Sequence, residues 1–161
     1  MRVLGIDPGT LQMGMGVIEG EGNVYQLLDF ETVRISEKLS LPERLKQIYR
    51  AVQECIRRFS PSVLALENVF FGKSVRATVK IGEARACAML AAAEESVPVV
   101  EYPPARIKQA ICGNGQATKF QVQQMIRNLL RLKTAPPPDA ADALAVALCH
   151  LHSQNVRVPV G

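Results

Sequence analysis

Three kinds of apolar pattern alternate along the chain. The first is a short apolar run bounded by turn residues. Val3-Leu4-Gly5-Ile6 is stopped by Asp7-Pro8-Gly9 and predicts a buried strand ending at Asp7. Met13 to Glu19 and Val24 to Ile35 predict two more strands, joined by a turn at Gly20-Glu21-Gly22-Asn23. Val63-Leu64-Ala65-Leu66 is wholly apolar, as in a strand covered on both faces, and stops at Glu67. Val97 to Tyr102 predicts a fifth strand.

The second pattern is helical spacing. Ser40-Leu41-Pro42-Glu43 is a capping box, followed by Leu45, Ile48, Val52, Cys55, Ile56 and Phe59 on one helix face, up to the break at Ser60-Pro61. Ser74 to Glu95 predicts a long Ala-rich helix. Thr118-Lys119-Phe120-Gln121 is a second capping box and opens a helix to about Leu132. Asp139 to about His152 predicts the last helix, with Leu144, Ala147, Leu148 and Leu151 on its apolar side. The third kind is no pattern at all. Residues 103–116, between Pro103-Pro104 and Gly113-Asn114-Gly115, predict a loop, and Pro136-Pro137-Pro138 a stiff connector. The order β-β-β-α-β-α-β-α-α predicts an α/β fold: a five-stranded mixed sheet, an antiparallel meander plus parallel strands reached through helices, with helices on both faces. Residues 1–153 read as one domain and 154–161 as a short C-terminal tail.

Composition narrows the class. A 161-residue chain with 48% hydrophobic and 21% charged residues describes a globular domain with its own core, not a disordered one. No apolar run approaches the ~20 residues that span a bilayer, and no signal peptide opens the chain, so a cytoplasmic protein is expected. Cys55, Cys87, Cys112 and Cys149 form no C-x-x-C pair and read as free thiols in a reducing compartment.

The charge is unevenly spread. Residues 1–101 hold twelve Lys and Arg against thirteen Asp and Glu. Residues 102–138 hold Arg106, Lys108, Lys119, Arg127, Arg131 and Lys133 and no acid. An acid-free stretch of this length suggests a surface for an anion such as nucleic acid, though a basic face serving solubility has the same composition. Lys73, Arg76 and Lys80, at i, i+3 and i+7, share a face if that segment is helical.

Two acids stand where an acid is expensive. Asp7 and Glu67 each end an apolar run belonging at the centre of a sheet, and an ionised carboxylate there needs a cation or hydrogen-bond donors. Asp139 and Asp142 are i, i+3 at the start of the last helix, so both point the same way. Singly, Asp7 reads as a turn former before Pro8-Gly9, and Asp139 as a first-turn acid favoured by the helix dipole. Together, the four are an oxygen-only ligand set suited to Mg²⁺ or Mn²⁺. Such a set with two ions fits in-line phosphodiester chemistry, one ion activating water and the other steadying the leaving oxygen. Carboxylates beside a basic surface point to a metal-dependent nuclease. There is no P-loop and no Ser/His/Asp arrangement. His150 and His152 read as helix-end residues, not catalysts.

Gly5-Ile6-Asp7-Pro8-Gly9, Leu66-Glu67 with Val69-Phe70, and Asp139-Ala140-Ala141-Asp142-Ala143-Leu144-Ala145 closely resemble the RuvC family of Holliday junction resolvases. The likeness runs from Arg2 to about His152 and takes in Lys80-Ile81-Gly82-Glu83-Ala84-Arg85, Lys108-Gln109 and Lys119. It implies an RNase H-like fold and a catalytic, metal-binding quartet of Asp7, Glu67, Asp139 and Asp142. It also implies DNA-backbone contacts at Lys108 and Lys119, and a place for Phe70 where strands exchange. The implied activity is a homodimeric, Mg²⁺-dependent endonuclease that resolves four-way DNA junctions in recombination and repair, with a branch-migration helicase complex of the RuvA and RuvB type as partner. The competing readings are an RNase H-like nuclease for RNA or RNA–DNA hybrids, a junction binder without catalysis, and an actin-like ATPase, for whose second lobe the chain has no room. Phe70 and Phe71 beside Lys73 read either as core or as rings that stack on an opened base.

Overall fold

The structure is a computed structural model that describes residues 1–68 and 74–155. Five strands form one sheet: β1 (Arg2–Asp7), β2 (Gln12–Glu21), β3 (Val24–Arg34), β4 (Val63–Glu67) and β5 (Val99–Tyr102), in the order β3-β2-β1-β4-β5. β1, β2 and β3 are an antiparallel meander. β4 runs parallel to β1 and β5 parallel to β4, as the helical crossovers α1 (Leu41–Phe59) and α2 (Val75–Glu94) require. The sheet and its mixed character are those the sequence predicts. The β2–β3 hairpin is tighter than expected, turning on Gly22-Asn23 with Gly22 at φ 56°.

One segment differs. Residues 103–116, expected as a loop, contain helix α3 (Pro104–Cys112). Pro103 and Pro104 start it: a proline in the first turn loses no hydrogen bond, and its fixed φ suits the helix. Gly113 ends it at φ 71°, with its N–H donating to Gln109 O. Ile107 and Ile111, one turn apart, are buried and hold α3 down. The remaining helices are α4 (Lys119–Leu129), shorter at its end than expected, and α5 (Pro138–Asn155). The capping boxes at Ser40 and Thr118 both form.

Strand alternation divides the core in two. Leu4, Ile6, Met13, Met15, Val17, Leu64 and Leu66 face α1 and α2. Val3, Ile18, Val63 and Ala65 face the layer of α3, α4 and α5. α5 is the central element of that second layer: Ala140, Ala141 and every residue from Ala143 to Leu151 are buried. It lies against backbone. A Cβ on Gly5 would collide with Ala143 O and reach Ala147 Cβ, and one on Gly14 would collide with Asp139 O. Gly16 and Gly20 likewise leave room for Leu144 and Leu151. Contacts at Asp139, Ala143, Ala147 and Leu151, four apart, mark the stripe of α5 that rides on the sheet.

The four cysteines are free, Cys149 buried and the others partly so. No described helix is long and apolar enough to cross a membrane.

If glycine sets the height of α5, Gly5→Ala must lift it. Overpacking costs about 1–3 kcal/mol, and the group met here is backbone, which cannot rotate aside. Gly5→Ala is expected to lower the thermal midpoint by roughly 2–12 °C, at ~2–4 °C per kcal/mol for a chain of this size. An unchanged midpoint in a calorimetric scan means α5 is not held at that distance.

Candidate active site

Period-2 alternation puts Asp7 on the same side of β1 as Val3 and Gly5, and Glu67 on the same side of β4 as Val63 and Ala65. Both side chains therefore leave the sheet at the carboxyl ends of parallel neighbours, towards α5. α5 begins at that end, so its first turns carry Asp139 and Asp142 to the same place. The four acids line one cavity of about 310 Å³ with Pro104, Ile107, Lys108, Lys119, Val122 and Ala145. α3 supplies Lys108 and α4 supplies Lys119, from the helix the sequence pattern missed and from the one that it found.

The cavity concentrates negative charge in a partly dry setting. Burial, and then the charges of Asp142, Asp139 and Glu67, push Asp7 up to about 8. Burial, and then Asp142, raises Glu67, against the lowering effect of Lys119 and Lys108. Asp142 is raised by burial and held back by Lys119, whose ammonium donates to its Oδ2 at 3.4 Å. The same pair raises Lys119. Lys119 is otherwise exposed, so one cation of the rim already leans onto the carboxylates.

Among the described residues no group of three or more His, Cys, Asp or Glu is arranged as a ready-made metal site. The four carboxylates share the cavity without converging. Their chemistry still fits a hard divalent cation: every donor is oxygen, and the electrostatic strain at Asp7 is of the kind a cation relieves.

The other sequence-predicted residues are divided. Arg76 and Lys80 are exposed on the first turns of α2. Phe70, with Phe71, and Lys73 lie outside the described residues. His150 is buried, with Nδ1 2.7 Å from the Tyr102 hydroxyl and its pKa lowered by burial, and His152 Nδ1 is 2.8 Å from Ala110 O. Both histidines join α5 to its neighbours, His150 from a buried position inside the helix rather than from its end. Sequence reasoning missed Pro104, Ile107 and Val122 as cavity wall. Ile107 and Ile111 at helical spacing were the available signal.

The model of the family described as crossover junction endodeoxyribonuclease RuvC matches residues 3–150. The chain belongs to the RuvC family. The crossover junction endodeoxyribonuclease RuvC of Chloroflexus aggregans is 47% identical over 154 residues, covering 95% of this chain and 94% of that protein. Its counterpart in Dehalococcoides mccartyi is 47% identical over 156 residues, 96% of this chain and 93% of that one. Among solved structures, Thermus thermophilus RuvC in complex with Holliday junction substrate superposes with a TM-score of 0.92 at 40% identity, covering 96% of this chain and 95% of that chain. The yeast mitochondrial Holliday junction resolvase Ydc2, at 13% identity and TM-score 0.67, shares the fold. The RNase H-like expectation is met by the sheet order and by these superpositions.

The electrostatics of Asp7 make a stability claim with a definite sign. Its folded-state pKa, about 8, lies above the ordinary 3.8, so the unfolded chain is the stronger acid. Stability from this group is intact below about pH 4 and is lost as pH rises towards 8. With divalent cations chelated, Asp7→Asn is expected to raise the thermal midpoint at pH 8 by roughly 2–6 °C, at ~2–4 °C per kcal/mol, and to raise it less at pH 5. A midpoint that falls at pH 8 rules out the repulsion.

Proposed function

We propose that this chain is one subunit of a homodimeric, Mg²⁺-dependent, cytoplasmic endonuclease that cuts four-way DNA junctions by paired phosphodiester hydrolysis. Asp7, Glu67, Asp139 and Asp142 are its catalytic and metal-holding residues, and Mn²⁺ substitutes for Mg²⁺. The observation carrying this reading is that four carboxylates from β1, β4 and α5 line one cavity together with Lys108 and Lys119, in a member of this family.

When bound at such a set, two divalent cations supply an activated water and charge neutralisation at the leaving oxygen. The chain's own groups do the rest. Asp7 and Glu67, fixed on strands of a buried sheet, hold their carboxylates in place without loop movement. Lys108 and Lys119 attract the phosphate that enters between them. As the backbone arrives, Lys119 exchanges Asp142 for a phosphate oxygen, a swap its exposed side chain allows. Ile107, Val122 and Ala145 keep the cavity floor apolar, which strengthens each charge interaction above it. Arg76, Lys80 and Lys73 extend the phosphate contacts, and Phe70 stacks on a base at the crossover.

Dimerisation is supported by α2. Val75, Val79 and Leu90 are 77%, 52% and 55% exposed. With Gly82 and Ala86, also exposed, they form a single apolar stripe along the helix. A Cβ on Gly82 would meet nothing, so the middle of the stripe is bare backbone open to close approach. A two-fold pair of sites matches a substrate with two equivalent strands to cut. A branch-migration helicase complex of the RuvA and RuvB type is the partner that delivers such junctions.

Two measurements test this reading. A synthetic four-way junction is expected to be cut symmetrically with Mg²⁺ and left whole in chelator, with duplex and RNA–DNA hybrid cut far less. Asp7→Asn is expected to lower cutting more than about a hundredfold, the order lost with a charged group that acts in the transition state, while gel-shift affinity persists. Preferential hybrid cutting, or near-normal cutting by the variant, sinks the assignment. For the dimer, Val79→Glu with Leu90→Glu is expected to sediment as a folded monomer; a dimer in that variant removes α2 from the interface.

A further inference from the structure

Beside the carboxylate cavity lies a second one, of about 370 Å³, lined by Cys112, Asn114, Ala117, Phe120, Gln121, Gln124 and Met125. The two adjoin through the chain itself. Lys119 and Val122 face the first while Phe120 and Gln121 face the second, because consecutive residues on a helix point about 100° apart. Likewise α3 gives Lys108 to the first and Cys112, one turn on, to the second.

Phe120 is 68% exposed in the first turn of α4, immediately after Lys119. Around it are three side-chain amides. The Gln121 oxygen is committed to the Thr118 N–H of the capping box, which fixes the side chain and leaves its NH₂ donors. Asn114 Oδ1 accepts from Gln116 N–H, again leaving an NH₂ group. The Gln124 side chain makes no hydrogen bond among the described residues. An exposed ring offers a stacking surface for any base, and Asn and Gln are the side chains whose amides match base edges. The surroundings carry no acid from residue 102 to 138, with Lys108 and Lys119 on the side of the cut.

We propose that this cavity is a nucleobase subsite: Phe120 stacks on an unpaired base of the strand being cut, and Gln121, Gln124 and Asn114 contact its edge. The proposal rests on the junction-nuclease reading for its substrate. It gives the enzyme a means of preferring one sequence next to the scissile phosphate. A docking patch for another protein does not fit as well, since the cavity opens beside the phosphate-binding lysines, where DNA already lies.

The test separates the subsite from the reading beneath it. Thymines nearest the crossover are replaced one at a time by 5-iododeoxyuridine, in a four-way junction and in a single-stranded oligonucleotide of the same sequence. Each is irradiated with the wild-type protein in chelator, and the cross-linked residue is found by mass spectrometry. One position is expected to cross-link to Phe120. In parallel, cutting rates are taken on junctions differing at that base. Phe120→Ala is expected to lower the rate on the best sequence about 5- to 160-fold, the range of base–aromatic stacking, and to bring the best-to-worst ratio towards one. Phe120→Tyr restores the ratio, and Gln124→Ala reduces it with the ring in place. Thermal midpoints check that the exposed ring is not structural. Cross-linking only at another residue, Phe70 included, overturns the subsite, as does an unchanged sequence ranking in Phe120→Ala. If the wild-type protein cross-links through Phe120 to the oligonucleotide but cuts no junction, the subsite stands and the junction-nuclease reading falls.

Discussion

The close approach of α5 to the sheet is the constraint on which the rest depends. A helix normally rides on a sheet through interdigitated side chains. Here Gly5 and Gly14 put bare backbone under Ala143 and Asp139, and the alanines of α5 keep the gap small. Lowering the helix has a chemical consequence. Asp139 and Asp142 sit at the end of α5 just where β1 and β4 deliver Asp7 and Glu67. With larger residues at the glycine positions the helix would stand off, and acids from strand and helix would no longer share a cavity. Dispersion and burial along α5 thus hold together four groups that repel one another.

That repulsion is a cost carried by the fold. Asp7 is displaced far from its ordinary pKa by burial and by three neighbouring acids, and only Lys119 opposes them strongly enough to count. Buried strain of this kind persists where function needs it and elsewhere would be selected away. The site is therefore least comfortable without a counter-charge, and its affinity for cations is the other side of its cost in stability. The Lys119–Asp142 contact works in the same direction: a mobile, exposed ammonium provides partial compensation and can leave.

Much of this was legible in the residues. The five strands follow from short apolar runs and their stops. The positions of Asp7 and Glu67 follow from period-2 counting once β1 and β4 are known to be parallel neighbours. The i, i+3 pair on α5 needed only helical geometry. Two things were hidden. α3 was masked by its own boundaries, because a proline pair and a Gly-Asn-Gly turn look like a loop until they are read as a start and a stop nine residues apart. The glycines of β2 were hidden differently: Met13-Gly14-Met15-Gly16 alternates large and absent side chains, but absence carries no pattern until the element that fills it is known. Phe70 and Lys73 fall outside the described residues, so the stacking and phosphate roles expected of them rest on sequence.

The two faces of the sheet divide the work. On one side α1 and α2 close the core, and α2 keeps an exposed apolar stripe. On the other, α5 completes the acidic set while α3 and α4 bring the longest acid-free stretch of the chain up to it. Those two helices contribute Lys108, Lys119 and Phe120, yet none of the sheet's hydrogen bonds. They pack on the core through Ile107, Ile111, Val122 and Ile126, with Ala110, Met125 and Leu129 beside them. The backbone of β1, β4 and α5 thus places the four carboxylates, and the helices α3 and α4 place the two lysines beside them.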